Sequence, residues 1–96
     1  MTRGLHPTEG VRFLLERDQD LGRRTTYRVS IFTPASTFAS TATLGEDGSV
    51  DLRPTGAPAD LEERLASIVK LLARDAAKRR DDGLITWPAR ILRWRR

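Results

Sequence analysis

The fold is decided by residues 25–52, which read TTYRVSIFTPASTFASTATLGEDGSVDL. Apolar and polar side chains alternate along this stretch, and a period of two predicts β-strands with one buried face. Pro34 interrupts the alternation because it has no N–H to donate to a neighbouring strand, and Asp47-Gly48 is a turn signal. The stretch therefore predicts three strands joined by short turns, at about residues 24–33, 36–44 and 49–53.

The register between these strands follows from parity, because residues directly opposite each other in an antiparallel pair share a face. A two-residue turn at Asp47-Gly48 would set Leu44 opposite a carboxylate, whereas a three-residue loop that includes Glu46 sets Leu44 opposite Val50. The longer loop is expected, since it also places Gly48 in the left-handed backbone region, where a residue without Cβ is favoured. A tight turn at Pro34-Ala35 pairs Ile31 with Phe38, Val29 with Ser40 and Tyr27 with Ala42.

The segment before this stretch predicts one more strand, at about residues 11–17, in which Val11, Phe13 and Leu15 share one face. Residues 1–10 contain two glycines and a proline and show little periodicity, so we expect a disordered leader there. No apolar run follows Arg3, and the leader therefore lacks the pattern of a secretion signal. We expect a cytoplasmic protein without a transmembrane segment.

A long helix is predicted after the strands, at about residues 60–80. Asp60 can cap its first amides, with Glu63 three residues later as in a capping box, and Gly83 supplies the stop. An apolar stripe at helical spacing should cover one face of the sheet, and it consists of Leu61, Leu65, Ile68, Leu72 and Ala76.

The last segment predicts a short helix at about residues 88–94. Pro88 suits a first helical position, and Trp87, Ile91 and Trp94 recur at helical spacing. Together the elements predict an α+β fold and a single domain over residues 11–96. This domain is a four-stranded antiparallel β-meander with one long C-terminal helix packed on one face and a short terminal helix.

Positive charge is concentrated in the last quarter of the chain. The 96 residues carry a formal net charge of +4, and residues 74–96 contain eight of the 17 basic side chains but three of the 13 acidic ones. Such a segment attracts an acidic partner, and nucleic acid is the commonest candidate. The residues expected to contact an anionic partner are Arg74, Lys78, Arg79, Arg80, Arg90, Arg93, Trp94, Arg95 and Arg96.

Other interpretations of these residues stay open. Cations at the end of the long helix are also what the helix macrodipole favours. Trp87 and Trp94 could instead close an edge of the core and leave the arginines in water. The outer sheet face is a further candidate surface, for a homodimer or a protein partner, because Leu14 and Phe32 form a small apolar patch there among charged residues.

The sequence offers no constellation for catalysis or metal binding. Its only histidine is His6, in the predicted leader, and it has no cysteine. Adjacent carboxylates such as Glu62-Glu63 point about 100° apart on a helix and do not converge. We therefore expect a non-catalytic binding or adaptor module, without cofactor or metal, that contacts an acidic partner through its basic C-terminal segment. The alternative is a protein-interaction or structural subunit that uses the outer sheet face or an edge strand.

Overall fold

Residues 9–95 are described by a computed structural model, in which an antiparallel sheet carries a helical layer on one face. The elements in chain order are β1 (Val11–Asp20), β2 (Arg24–Phe32), β3 (Thr37–Gly45), β4 (Val50–Leu52), α1 (Ala59–Arg74), α2 (Ala76–Asp81) and β5 (Arg90–Arg95). The strand order across the sheet is β4-β3-β2-β1-β5, and neighbouring strands are antiparallel. The α+β prediction is confirmed, whereas most of the predicted leader lies outside the described residues.

Both predicted hairpin registers are confirmed. Leu44 lies opposite Val50 across the β3–β4 loop, and Gly48 in that loop has a φ of +89°. In the other hairpin Ile31 lies opposite Phe38. Because each opposite pair shares a face, the apolar sides of the first four strands form one continuous surface.

The core lies between this surface and α1, which packs over β3 and β4. Most of the predicted helical stripe is buried, although Ile68 is only partly buried and Val69 is fully buried beside it. The predicted single helix is bent at Asp75, whose backbone (φ −93°, ψ 4°) separates α1 from α2, as fits a residue of low helix propensity. The buried helical residues are Leu61, Leu65, Val69, Leu72, Ala73 and Ala76.

The structure corrects the predicted cap at the start of the helix and confirms the predicted stop at its end. Asp60 does not act as the cap, because the helix begins one residue earlier, Pro58 precedes it, and no described side chain caps α1. The Glu62 carboxylate accepts two hydrogen bonds from Thr55, one from the Thr55 hydroxyl at 2.6 Å and one from the Thr55 backbone N–H. These bonds lower the pKa of Glu62. At the other end Gly83 has a φ of +75° and bonds back to the last turn of α2, so the predicted stop is confirmed.

The predicted terminal helix at residues 88–94 is wrong, because residues 90–95 form strand β5 and pair with β1. Ile91 lies opposite Leu15, and Trp94 lies opposite Arg12. Without this pairing, β1 would leave one row of backbone N–H and C=O groups unpaired beside buried side chains, which is costly. Trp87 precedes the strand, so its helical spacing from Ile91 and Trp94 has no structural meaning.

The loop before β5 is anchored by three long-range hydrogen bonds that side chains donate. Trp87 is fully buried, and its Nε1 donates to the Gly22 carbonyl at 2.8 Å. Arg17 donates from Nη1 to the Trp87 carbonyl at 2.7 Å, and the Tyr27 hydroxyl donates to the Pro88 carbonyl at 2.6 Å. These bonds fix where the chain leaves the helical layer and enters the sheet.

Removing the Tyr27 hydroxyl should change the pH dependence of unfolding. Burial raises the pKa of the Tyr27 phenol to about 12, since the folded chain disfavours the phenolate. The stabilisation from the protonated phenol is therefore fully present below about pH 10 and is lost as the pH rises toward 12. Over that range the native chain should lose at most about 2 kcal/mol of unfolding free energy more than a Tyr27→Phe variant. Urea unfolding at several pH values measures this, and equal losses in both chains would contradict it.

Candidate functional site

Two of the basic side chains predicted to contact an anionic partner are bound to the protein itself. Arg79 donates to backbone carbonyls of α1 and of the loop after α2, at 2.7 and 2.8 Å. Arg80 donates to the Gly22 carbonyl at 3.0 Å and forms an ion pair with the Glu46 carboxylate at 3.1 Å. The contacts of Arg80 tie α2 to the turns at one end of the sheet, and both guanidinium groups are less available to a ligand.

Arg74 and Lys78 project from the helical layer into solvent. Their side chains are 71% and 76% exposed, and each pairs with a neighbouring carboxylate, Asp75 at 3.1 Å and Asp82 at 3.6 Å. Exposed pairs of this kind are weak, so both cations can exchange partners. They lie on the helical side of the sheet, and the predicted contact Arg96 lies outside the described residues.

The other predicted contacts within the described residues lie on strand β5. Arg93 and Arg95 share the core side of the sheet with Phe13 and Val11, whereas Arg90 and Trp94 lie on the face turned away from α1 and α2. We call this the open face, since both helices bury their apolar residues in the core on the opposite side. Register places Leu92 of β5 opposite Leu14 of β1 on this face. The open face has three adjacent cross-strand rows, which are Phe32–Arg12–Trp94, Ser30–Leu14–Leu92 and Arg28–Glu16–Arg90.

Apolar side chains of the open face form a second, smaller cluster outside the core. Leu14 is 3% exposed and Phe32 is 5% exposed, although neither belongs to the core cluster. Leu92 and Trp94 are 42% and 45% exposed. The open face thus has a sheltered apolar floor on β1 and β2 and exposed apolar groups, including an indole, on β5.

Arginines flank this apolar cluster. Arg12 lies in the aromatic row, and Arg28 and Arg90 lie on either side of Glu16. Three guanidinium groups and one carboxylate leave a net charge of +2 on these rows, from three positive charges minus one negative charge. The open face therefore attracts anions, and guanidinium groups match the paired oxygens of phosphate or carboxylate.

The outer edge of β5 is capped by its own arginines. The backbone groups of successive residues in an antiparallel strand point alternately toward and away from the neighbouring strand. The Ala89 carbonyl, just before β5, accepts a hydrogen bond from Arg17 of β1. The carbonyls of Leu92 and Trp94 therefore point away from β1. Arg93 and Arg95 each donate from Nη1 to the preceding carbonyl, at 3.2 and 3.0 Å. Such capping makes an edge strand a poorer template for another strand.

A surface cleft of about 480 Å³ lies at the turns that join β1 to β2 and β3 to β4. Its charges are mixed, since Arg23 and Arg24 line it together with Glu46 and Asp47. Hydrogen bonds from the side chain and backbone of Ser49 hold the pKa of Asp47 below its usual range. The cleft therefore lacks the excess of one sign of charge that distinguishes the open face.

Across residues 9–95, no cluster of three or more His, Cys, Asp or Glu side chains is arranged to hold a metal ion. None of the helices in this part of the chain is long and apolar enough to cross a membrane. His6 lies outside the described residues.

Arg12, Arg28 and Leu92 are absent from the residues predicted to contact a partner. The predicted terminal helix would have separated Trp94 from the outer face of β1. The sequence therefore did not predict that the residues of β1 and of β5 would form one surface. The sequence carries no period-two signal for this junction, because the even-numbered side chains that share the open face are Arg90, Leu92 and Trp94, a mixture of charged and apolar groups. The helical spacing of Trp87, Ile91 and Trp94 therefore had no competing pattern.

No protein-family model, curated protein or solved structure matches this chain. The geometry of the open face is therefore the basis on which a function can be assigned.

Proposed function

We propose that this chain is a non-catalytic module that binds nucleic acid through the open face of its sheet. One observation carries the proposal: Arg12, Arg28 and Arg90 share a face with the exposed side chains of Leu92 and Trp94, and both helices pack on the other side. Positive charge next to accessible aromatic and apolar groups is the combination that nucleic-acid-binding surfaces use.

Nucleic acid fits this combination better than other anionic partners. Guanidinium groups bind phosphates in a bidentate manner, and a tryptophan or leucine side chain contacts a base or sugar. An acidic protein segment supplies carboxylates but no regular array of flat rings. An anionic membrane surface is usually bound by an amphipathic helix that inserts a long apolar stripe, whereas only Leu92 and Trp94 are strongly exposed apolar groups on β5.

The basic C-terminal segment keeps a part in this proposal, with different contacts. Arg90 and Trp94 contribute directly because they lie on the open face. Arg93 and Arg95 lie on the other face of β5, opposite Phe13 and Val11, and are not among the contacts of this proposal. Location in the cytoplasm stays a prediction, and it is compatible with such a ligand.

Replacing arginines of the open face should weaken nucleic-acid binding and flatten its salt dependence. Each phosphate contact adds roughly 0.7 to 0.9 to the slope of log affinity against log salt concentration. For Arg28→Gln/Arg90→Gln we therefore expect the slope to fall by about 1.4 to 1.8. Fluorescence anisotropy with labelled oligonucleotides at several salt concentrations measures both affinity and slope.

The matched control is Arg74→Gln/Lys78→Gln, which removes the same charge from the helical layer. We expect this variant to keep the slope of the unmodified chain, since its side chains lie on the opposite side of the sheet. A control that loses as much of the slope as the open-face variant would refute the assignment to this face.

The alternative function, a protein-interaction or structural subunit, is favoured by one feature. Strand β5 is at the edge of the sheet, with no described strand on its outer side. Against this stands the capping of its edge carbonyls by Arg93 and Arg95. Sedimentation velocity at several concentrations separates the two functions, because a homodimer through this edge dissociates on dilution.

A further inference from the structure

We infer that the open face binds single-stranded rather than duplex nucleic acid, with an unpaired base stacked on the indole of Trp94. The inference rests on the proposed function and specifies the form of nucleic acid that this face accepts. Three properties of the open face lead to it: the exposure of one indole, the spacing of the rows, and the small number of cations.

Trp94 is the aromatic side chain that a ligand reaches most easily on this face. It is 45% exposed, whereas Phe32 in the same row is 5% exposed and Trp87 is fully buried in the core. Proteins that hold single strands without sequence preference stack successive bases on such accessible rings. Between the ends of a duplex, each base is covered on both faces by its neighbours, so along a duplex an indole meets a free base face only after a base is flipped out.

The spacing of the sheet positions the other contacts. Neighbouring strands lie roughly 4.8 Å apart, and alternate residues of one strand lie roughly 6.7 Å apart. Arg12 is therefore on the strand next to Trp94. Arg90 lies on the same strand as Trp94, roughly 13 Å from it, and Leu92 lies between Arg90 and Trp94. A base on Trp94 and a second base or sugar over Leu92 would leave the connecting phosphates within reach of Arg12 and Arg90. The surface from Trp94 to Arg90 therefore accommodates a few nucleotides of an extended single strand.

The charge of the open face is low for a duplex site. Proteins that hold a duplex by its backbone can make about 6 to 10 phosphate contacts. The three rows that include β5 supply Arg12, Arg28 and Arg90, with Glu16 between two of them. Contact with bases must therefore provide a large part of the affinity, and a duplex does not offer it at an exposed indole.

A fluorescence titration of the full chain tests this inference, because its two tryptophans report different events. Trp87 is buried and reports the fold, whereas Trp94 is exposed and reports ligand contact. We expect quenching by oligo(dT) or oligo(U) of about twelve nucleotides, with at least tenfold weaker binding of a blunt DNA duplex of the same length. A Trp94→Phe variant should lose the quenching and keep the Trp87 emission.

Three substitutions of the same residue separate stacking from bulk. Trp94→Phe keeps a ring, and its affinity for oligo(dT), measured by anisotropy, should stay within about threefold. Trp94→Leu keeps apolar volume without a ring, and Trp94→Ala keeps neither; both should bind oligo(dT) about five- to hundredfold more weakly. Their residual binding of the duplex should be unchanged. Circular dichroism and the Trp87 emission verify that each variant is folded.

Several results would overturn the inference. Equal affinity for single strand and duplex, or a Trp94→Leu variant that binds oligo(dT) as tightly as Trp94→Phe, removes the stacking contact but leaves the proposed function standing if Arg28→Gln/Arg90→Gln still weakens binding. Failure to bind any nucleic acid overturns both proposals. Preferential binding of polyglutamate or of phosphatidylserine vesicles also overturns both, because it identifies another class of anionic partner.

Discussion

Trp87→Ala should lower the free energy of unfolding by about 3 to 5 kcal/mol, the usual cost of truncating a fully buried tryptophan. Trp87 is 0% exposed and packs in the core between the sheet and the helical layer. The lost hydrogen bond from its Nε1 should add little, because Arg80 also donates to the same Gly22 carbonyl. Since small domains are stable by roughly 5 to 15 kcal/mol, this loss is a large part of the stability of the fold.

Urea unfolding followed by circular dichroism measures this loss, and Trp94→Ala is the control. Trp94 is 45% exposed and its truncation leaves no enclosed cavity, so the loss should be about half that of Trp87→Ala or less. Comparable losses for the two variants would contradict the assignment of one tryptophan to the core and the other to the open face.

Arg93→Pro should destabilise the fold by about 3 kcal/mol or more. The alternation of the β1–β5 ladder directs the N–H of Arg93 toward Phe13, which is fully buried. Proline removes this donor, leaves the Phe13 carbonyl without its partner and places a ring against β1. The loss is measured by the same urea unfolding experiment.

Leu92→Pro is the control for this prediction, since the N–H of Leu92 points away from β1. Proline is tolerated at edge positions whose N–H faces solvent, so we expect less than half the destabilisation. A larger loss at Leu92 than at Arg93 would show that the register of β5 is shifted by one residue. It would also move Trp94 off the open face.

Strands β2, β3 and β4 could be predicted from the sequence together with their register because two independent signals agree there. The period of two in residues 25–52 defines the strands, and the parity of the loops then leaves one acceptable register, in which Leu44 faces Val50. Strand β5 lacked this agreement. Trp87, Ile91 and Trp94 satisfied a helical spacing, and the partner that makes residues 90–95 a strand lies about 80 residues earlier, in β1.

The candidate site was predicted in part, for a related reason. The predicted partner contacts include Arg90 and Trp94, which lie on the open face, but counting charges could not distinguish Arg90 from Arg79 and Arg80. Arg79 is held by backbone carbonyls of α1 and of the loop after α2, and Arg80 is held by the Gly22 carbonyl and Glu46 in the turns of the sheet. Such contacts depend on the tertiary arrangement, which local sequence does not encode.

The position of β5 also explains why the function could not be assigned from the sequence alone. Leu14 and Phe32 on one side, and Arg90 and Trp94 on the other, form a single surface only when β5 pairs with β1. The strand thus has two roles. It shields the backbone edge of β1, and it adds the exposed apolar groups that a flat ligand can contact.

The most direct test of the open face as a binding surface is a heteronuclear NMR titration of the isotope-labelled full chain with oligo(dT). We predict that the indole N–H signal of Trp94 and the backbone amides of Leu14 and Leu92 shift with added ligand, while the buried indole N–H of Trp87 stays in place. Shifts concentrated around Arg74 in the helical layer, with β1 and β5 unchanged, would contradict the account.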